Sequence, residues 1–199
     1  MSIHTVTVYA ASSQALEQVY IEAAGELGRA LAGSRLRIVY GGGSTGLMGA
    51  MADGALAEGG EVHGIIPEFL TRVERGHQGL RKLEIVADMR VRKARMLEEA
   101  DAVIALPGGC GTFEELFEAI TLKRLGQFLG PIVLVNTAGY YDRLIDFLRY
   151  SVEKRFMSRT HLDIWQTVAR PDEVTDALRK AVAWSAGDAL ESAAVRPQP

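Results

Sequence analysis

Cysteine is nearly absent from this sequence. Cys110 stands alone among 199 residues, so no disulfide can form within the chain, and this favours a reducing compartment. The residues after Met1 contain no basic stretch followed by a long apolar run, and no apolar run approaches the length that spans a bilayer. We therefore expect a cytoplasmic protein with no membrane partner.

Positive charge is not in excess either. The formal net charge is −3, which argues against a nucleic-acid partner, although a small anionic ligand is compatible with it. The histidines are scattered along the chain without the spacing of metal ligands, so no metal site is predicted: His4, His63, His77 and His161. The sequence likewise gives no indication of a cofactor.

Apolar runs alternate with amphipathic stretches along the chain. Predicted strands cover residues 3–10, 36–40, 61–66, 83–86, 102–106 and 132–135, and predicted helices cover residues 14–32, 46–57, 89–99, 112–125, 141–155 and 171–184. Such alternation predicts an α/β protein with a doubly wound parallel sheet, covered on both faces, in a single domain. We expect that domain to span residues 1–186. Residues 187–199, rich in Ala, Ser and Pro, are expected to be a disordered tail.

A first glycine-rich turn follows the second predicted strand, where residues 41–49 are GGGSTGLMG. Ligands of parallel sheets bind beyond the carboxyl ends of the strands, and a helix N-terminus attracts anions. Gly42, Gly43 and Ser44 are therefore candidate ligand-binding residues, and Ser44 or Thr45 can either cap the helix or bind phosphate. The alternative is a turn that serves only close packing.

A second such turn follows the predicted strand 102–106, where residues 107–115 are PGGCGTFEE. No Lys-Ser or Lys-Thr follows the last glycine, so the turn is not a Walker A loop, and its spacing differs from the dinucleotide fingerprint. It predicts a site for a single phosphate, bound by backbone N–H groups and by Thr112. The candidate residues are Gly108, Gly109, Gly111 and Thr112. Thr112 and Glu115 also match a capping box, which leaves Glu115 either a helix cap or a catalytic carboxylate.

The predicted helix that begins at Met89, with Asp88 as its N-cap, has an unusual charge order. Arg90, Arg92, Lys93 and Arg95 lie in its first half, whereas its carboxylates lie near its end. Cations near a helix N-terminus are unfavourable by a few tenths of a kcal/mol each, up to about 1 kcal/mol. Either this face binds an anionic ligand or it is a solvated charged surface.

The pattern Met89-x-x-Arg92-Lys93, followed by the second glycine turn, resembles the LOG (Lonely Guy) family of cytokinin riboside 5′-monophosphate phosphoribohydrolases. This resemblance implies a Rossmann-like fold, a homodimer with its active site near the subunit boundary, and an N6-modified adenosine 5′-monophosphate, often AMP as well, as substrate. It also implies hydrolysis of the N-glycosidic bond, which releases a free base and ribose 5-phosphate. Arg92 and Glu115 match the family's catalytic pair. The matched substrate-binding positions are Lys93, Gly109, Gly111 and Thr112, with Glu74 and Thr121 as two further contacts.

The chain departs from its relatives in two places that bear on base recognition. Its first strand ends in the sequence Ala10-Ala11-Ser12-Ser13 rather than a Gly-Ser-Ser type, and Arg90 replaces a frequent histidine. Relatives are also labelled lysine decarboxylases, but the sequence offers no support for a pyridoxal phosphate site. Two alternatives remain open: a broader nucleoside 5′-monophosphate nucleosidase in salvage, and a nucleotide-binding protein without catalysis.

Overall fold

A seven-stranded parallel sheet forms the centre of the computed structural model, which describes residues 2–72, 76–185 and 187. The strands are β1 (Thr5–Tyr9), β2 (Arg37–Tyr40), β3 (Val62–Pro67), β4 (Lys82–Val86), β5 (Ala102–Ala105), β6 (Ile132–Val135) and β7 (Gln166–Val168). The α-helices are α1 (Gln18–Gly33), α2 (Gly46–Ala57), α3 (Met89–Glu98), α4 (Cys110–Arg124), α5 (Asp142–Glu153) and α6 (Val174–Lys180). Short 3-10 helices cover Glu68–Arg72, Thr137–Gly139, Arg159–Asp163 and Pro171–Glu173.

Helices cover both faces of the sheet. On one face, apolar side chains of α1, α2 and α6, such as Leu27, Met51 and Leu178, pack in one buried cluster. On the other face, α3, α4 and α5 form a second cluster that includes Met96 and Leu116. The predicted α/β fold with a doubly wound parallel sheet is thus confirmed. No helix in the described ranges is both long enough and apolar enough to cross a membrane.

The largest differences between the prediction and the structure concern α1, α4, α6 and β7. Helix α1 begins at Gln18 rather than at residue 14, because Glu17 is still extended. The last helix is interrupted: Pro171–Glu173 is a 3-10 turn, and α6 ends at Lys180 because Ala181 is extended. Strand β7 was missed, since three residues are too few to give a periodic signal. The start of α4 was also misplaced, with a consequence for the site described below. Of the expected tail, residues 188–199 lie outside the described residues.

The strand order determines where a cleft can form. The order is β4-β3-β2-β1-β5-β6-β7, so the chain winds outward in one direction from β1 and in the other direction from β5. Connections that leave β1 and β5 toward opposite faces open a crevice beyond the carboxyl ends of these two strands. Both glycine turns lie at this edge, because they follow β2 and β5.

Glycines allow α1 and α2 to pack against each other without a gap. A Cβ atom at Gly28 would lie 2.0 Å from the carbonyl oxygen of Met51.

We expect Gly28→Ala to lower the free energy of unfolding by about 3 kcal/mol, because the helices must separate. Urea denaturation measures this. Gly33→Ala is the matched control: its Cβ would meet no described atom within 4 Å, so stability should rise by up to about 1 kcal/mol. Equal stability of Gly28→Ala and the unchanged chain would contradict the prediction.

Lys123 is a buried lysine whose ammonium group donates a hydrogen bond to the carbonyl oxygen of Gly130, at 2.8 Å, and lies over the ring of Trp184. Burial lowers the pKa of Lys123 to about 8. Between that pH and about 10.4, the ordinary pKa of lysine, the unfolded chain binds more protons than the folded one. The contribution of Lys123 to the free energy of unfolding therefore rises with pH across this window.

Lys123→Met tests this pH dependence. We expect the stability of the unchanged chain, measured relative to the variant, to increase between pH 8 and pH 10, since other titrating groups cancel in the difference. Urea denaturation of both proteins across this range provides the comparison. A difference that is independent of pH would show that Lys123 is protonated equally in both states.

Candidate active site

A cleft of about 310 Å³ opens at the carboxyl edge of the sheet, at the switch point between β1 and β5. Its lining comes from the segments after three strands and from α2, α3 and α4: Ala10, Ala11, Ser12, Ser13, Gly41, Met48, Met89, Arg92, Gly109, Cys110, Gly111, Thr112 and Glu115, with Val8. A larger hollow of about 750 Å³ lies at the amino-terminal edge, beside Arg37 and Glu61, where the strands begin. The carboxyl-edge cleft is the candidate site, because it contains the second glycine turn and both predicted catalytic side chains.

Helix α4 begins inside the second glycine turn, two residues earlier than predicted. Gly109 is its N-cap, and the carbonyl oxygen of Gly109 accepts the N–H of Phe113 as the first helical hydrogen bond. Thr112 is thus the third residue of the helix and cannot be its N-cap, so the predicted capping box was wrong. Glu115 lies in the second turn, where it is not a capping residue. Of the two interpretations of Glu115, the structure excludes the cap.

The N-terminus of α4 faces the cleft with little side chain in the way. The first four N–H groups of a helix, here those of residues 109–112, have no acceptor within the helix. A Cβ atom at Gly109 or at Gly111 would meet no described atom within 4 Å, so both positions are open. At Gly108 a Cβ would lie 2.1 Å from Oγ1 of Thr112, so Gly108 is required for the buried Thr112 side chain to sit against the turn. This arrangement can bind a small anion.

Arg92 is buried, in contrast to the solvated charged surface that the sequence left open. Its side chain is 8% exposed; Nε donates to the carbonyl oxygen of Ile65 at 3.1 Å, and Nη2 donates to that of Gly41 at 3.0 Å. The third nitrogen, Nη1, lies 4.0 Å from Oε1 of Glu115. Two backbone carbonyls therefore orient the guanidinium toward the cleft and toward this carboxylate.

Gly41 is a site residue that the sequence analysis missed. A Cβ atom there would lie 1.8 Å from Nη2 of Arg92, so only glycine leaves room for the guanidinium. The glycine run could have indicated this position, since Gly41 is its first residue. Its partner lies 51 positions away in the sequence, however, and only the fold brings the two together.

The side chain of Glu115 lies in a poorly solvated part of the site. Its side chain is 9% exposed. Burial, with further contributions from Glu115, Glu118 and Glu114, raises the pKa of Tyr9 well above its ordinary value. The Tyr9 hydroxyl therefore keeps its proton at neutral pH.

Lys93 and Arg95, the other cations of α3, form ion pairs with carboxylates. Nζ of Lys93 contacts Glu114 and lies 3.0 Å from Glu118, both on α4. Burial by itself lowers the pKa of Lys93, but these two ion pairs raise it above its ordinary value, so Lys93 is a firmly protonated link between α3 and α4. Arg95 contacts Glu84 on β4 and the end of its own helix. Asp88 caps α3 as predicted, accepting from the N–H groups of residues 90 and 91.

The first glycine turn has the geometry of a packing element. Gly42 has φ +75°, and a Cβ there would lie 2.9 Å from Leu83. The carbonyl oxygen of Gly42 accepts the N–H of His77, at 3.0 Å, and Gly43 pairs with Gly76 in an antiparallel bridge. Neither glycine lines the cleft.

The two hydroxyl residues of this turn lie at the start of α2 and outside the cleft lining. Thr45 occupies the N-cap position, but its Oγ1 donates to the carbonyl oxygen of Ser12, at 2.9 Å. This bond ties α2 to the segment that follows β1. Ser44 precedes the N-cap and is absent from the cleft lining.

One predicted substrate contact, Thr121, does not line the cleft of this chain. Thr121 is exposed on α4, six residues beyond Glu115, which corresponds to about 9 Å along the helix axis. It is not part of the lining. Glu74 lies outside the described residues.

The fold and the cleft together define a Rossmann-like α/β protein with an open helix N-terminus next to a buried arginine–carboxylate pair. A protein-family model described as "possible lysine decarboxylase" matches residues 48–178. A cytokinin riboside 5′-monophosphate phosphoribohydrolase of Rhodococcoides fascians is 44% identical over 155 residues, which cover 77% of this chain and 78% of that protein. One of the same name from Arabidopsis thaliana is 43% identical over 159 residues, or 80% and 74% of the two chains. The chain belongs to this family, the LOG family.

Solved structures resemble this chain in fold. The molybdenum cofactor carrier protein of Chlamydomonas reinhardtii has a TM-score of 0.67 at 18% identity, covering 89% of this chain and 97% of that one. The molybdenum cofactor binding protein of Rippkaea orientalis has a TM-score of 0.69 at 19% identity, covering 90% and 97%. At these identities the likeness establishes the Rossmann-like architecture and nothing about the ligand.

Proposed function

We propose that this protein is a cytoplasmic hydrolase that cleaves the N-glycosidic bond of adenosine 5′-monophosphates, including N6-modified ones, into free base and ribose 5-phosphate. The observation that carries the proposal is the buried pair of Arg92 and Glu115 beside the open N-terminus of α4. The names of relatives at 43–44% identity point to the same reaction.

The phosphate of the substrate is assigned to the N-terminus of α4. Backbone N–H groups of Gly109 and Gly111, together with the hydroxyl of Thr112, are the donors, and Gly108 shapes the turn. The partial positive charge of the helix end favours the dianion. Because the phosphate does not react, its binding energy serves to place the ribose next to Glu115.

Glu115 is assigned to the sugar. Cleavage of a glycosidic bond gives the ribose the character of an oxocarbenium ion, and a carboxylate at that point stabilises the developing positive charge. Low solvent exposure strengthens this interaction. The carboxylate can also accept a hydrogen bond from a ribose hydroxyl or from the attacking water.

Arg92 is assigned to the stabilisation of negative charge, on the Glu115 carboxylate and on the departing purine. Its bonds to two carbonyl oxygens hold the guanidinium in one orientation, where it fixes the Glu115 carboxylate and faces the departing purine, on which negative charge develops. A guanidinium stays protonated at every relevant pH, so it acts by charge and hydrogen bonding and not as a proton donor.

We further propose a homodimer, in agreement with the family resemblance. Phe117 and Leu125 are 37% and 46% exposed, and with Thr121 they repeat every four residues along one face of α4. An interface on this face would bury an apolar stripe of α4 and place Thr121 at the subunit boundary. Lys93 and Glu74 remain proposed substrate contacts on the strength of the resemblance.

Incubation with AMP and separation of the products by chromatography test the reaction. We expect free adenine and ribose 5-phosphate, and a kcat/KM for AMP at least about tenfold above that for adenosine, because adenosine lacks the phosphate that α4 binds. Equal kcat/KM values for AMP and adenosine would show that the phosphate does not contribute to catalysis. Binding of AMP without release of adenine would favour the non-catalytic alternative.

A comparison of N6-isopentenyl-AMP, AMP, GMP and CMP addresses the substrate range. Similar rates for all four would favour a broad nucleotide nucleosidase of salvage. We expect the adenine nucleotides to be hydrolysed fastest.

The residues of the cleft do not fit the pyridoxal phosphate enzyme that the family description suggests. A Schiff base requires a lysine in the site, and no lysine lines the cleft in the described ranges. Lys93 has a raised pKa and two carboxylate partners, and the amine of Lys123 is bound to Gly130. We therefore assign no decarboxylase step to this chain.

A further inference from the structure

Two adjacent tyrosines after β6 make hydrogen bonds to the backbone of the second glycine turn. The hydroxyl of Tyr141 donates to the carbonyl oxygen of Leu106, and the hydroxyl of Tyr140 donates to that of Gly108, each at 2.6 Å. Between them, the carbonyl oxygen of Pro107 accepts the N–H of Ala11, at 3.2 Å. Every carbonyl oxygen from Leu106 to Gly108 thus has a donor partner.

The orientation of Gly108 matters for an anion. A trans peptide is planar, so the carbonyl of residue 108 and the N–H of residue 109 point in opposite directions. No cis peptide bond occurs among the described residues. The bond from Tyr140, whose side chain is not part of the cleft lining, holds this carbonyl on one side of the peptide, so the N–H of Gly109 points to the opposite side.

The two tyrosines are themselves held in place. The backbone N–H of Tyr141 donates to Oδ1 of Asn136, at 2.7 Å, and Nδ2 of Asn136 donates to Asp142, also at 2.7 Å. The two tyrosine rings meet edge to face with their centroids 5.1 Å apart. The loop between β6 and α5 is therefore held in one conformation where it contacts the second glycine turn.

We propose that Tyr140, supported by Tyr141, is a positioning residue for the substrate phosphate: it occupies the carbonyl of Gly108 so that the turn presents N–H donors, and no carbonyl lone pair, to the anion. This inference rests on the proposed function, because it assumes a phosphate at the N-terminus of α4. Tyr140 touches neither the phosphate nor the reacting atoms. Its effect on binding comes through the conformation and polarity of the turn.

Tyr140→Phe tests the proposal, since it removes one hydroxyl and keeps the ring that packs on Tyr141. We expect the KM for AMP and the dissociation constant of inorganic phosphate, measured by calorimetry, to rise about fivefold together. The kcat at saturating AMP and the KM for adenosine should stay within twofold. Tyr150→Phe is the matched control, because its ring lies on the exposed face of α5 and contacts Lys154.

The outcomes separate this inference from the proposed function. Unchanged phosphate affinity in Tyr140→Phe overturns the inference while wild-type hydrolysis of AMP stands. A lower Tm and lower kcat without a change in phosphate affinity also overturn it, because they indicate a merely structural tyrosine. If the wild-type chain binds phosphate but does not cleave AMP, the proposed function is wrong. The phosphate affinities of the wild-type chain and Tyr140→Phe then still test the inference. A wild-type chain that neither binds phosphate nor cleaves AMP refutes both.

Discussion

Glu115→Gln is expected to lower kcat for AMP about 1,000-fold, the largest effect of any single substitution in this protein. The amide keeps the shape of the side chain and loses the negative charge that opposes the oxocarbenium character of the ribose. Binding should change little, because the phosphate contacts at α4 remain. We expect the KM for AMP to stay within about threefold. Steady-state release of adenine at saturating AMP gives kcat, and the thermal midpoint verifies that the variant is folded.

Glu22→Gln is the control for this substitution, since Glu22 is an exposed residue of α1 on the other face of the sheet. It should retain full turnover. Full turnover of Glu115→Gln would show that the carboxylate is not catalytic. The cleft would then be better explained as a binding site, as in the non-catalytic alternative.

Arg92→Lys is expected to lower kcat about 100-fold while the protein stays folded. A lysine preserves the positive charge but has one nitrogen, which cannot bond to the carbonyl oxygens of Ile65 and Gly41 and face Glu115 at the same time. The variant thus distinguishes the effect of the positive charge from the effect of the guanidinium's fixed orientation. The measurement is kcat and KM for AMP, with urea denaturation for stability.

Arg95→Lys on the same helix is the matched control, because Arg95 forms its ion pairs with Glu84 and Glu99 outside the cleft. We expect its kcat to remain unchanged. If Arg92→Lys kept wild-type kcat, a point charge would suffice, and the orientation by two carbonyl oxygens would have no catalytic importance. The double variant with Glu115→Gln should lose less than the product of the single effects, since the two side chains act as one unit.

The buried strands and the helices between them were predictable because their signals are local. Runs such as residues 102–106 are apolar throughout, as strands covered on both faces must be, and the helices between them are long enough to show their period. Asp88 was predicted as a cap for the same reason, because capping depends on neighbours two and three residues away.

The errors arose where local signals were ambiguous. Thr112 and Glu115 have the spacing of a capping box, yet the helix begins at Cys110, since Gly109 already accepts the first helical hydrogen bond. Strand β7 was missed because its pairing with β6 depends on a neighbour more than 30 residues away and on only three residues of its own.

The sequence was enough to predict the class of fold and the position of both glycine turns at one edge of the sheet, and its resemblance to the LOG family pointed to Arg92 and Glu115 as the residues to examine. Each of these depends on residue type and short spacing. The tertiary structure alone decided that Arg92 is buried against Gly41 and Ile65, that Glu115 is not a cap, and that Tyr140 binds the turn from another loop. The contacts of Arg92 and Tyr140 join positions that are 27 to 51 residues apart, and no local pattern encodes such pairs.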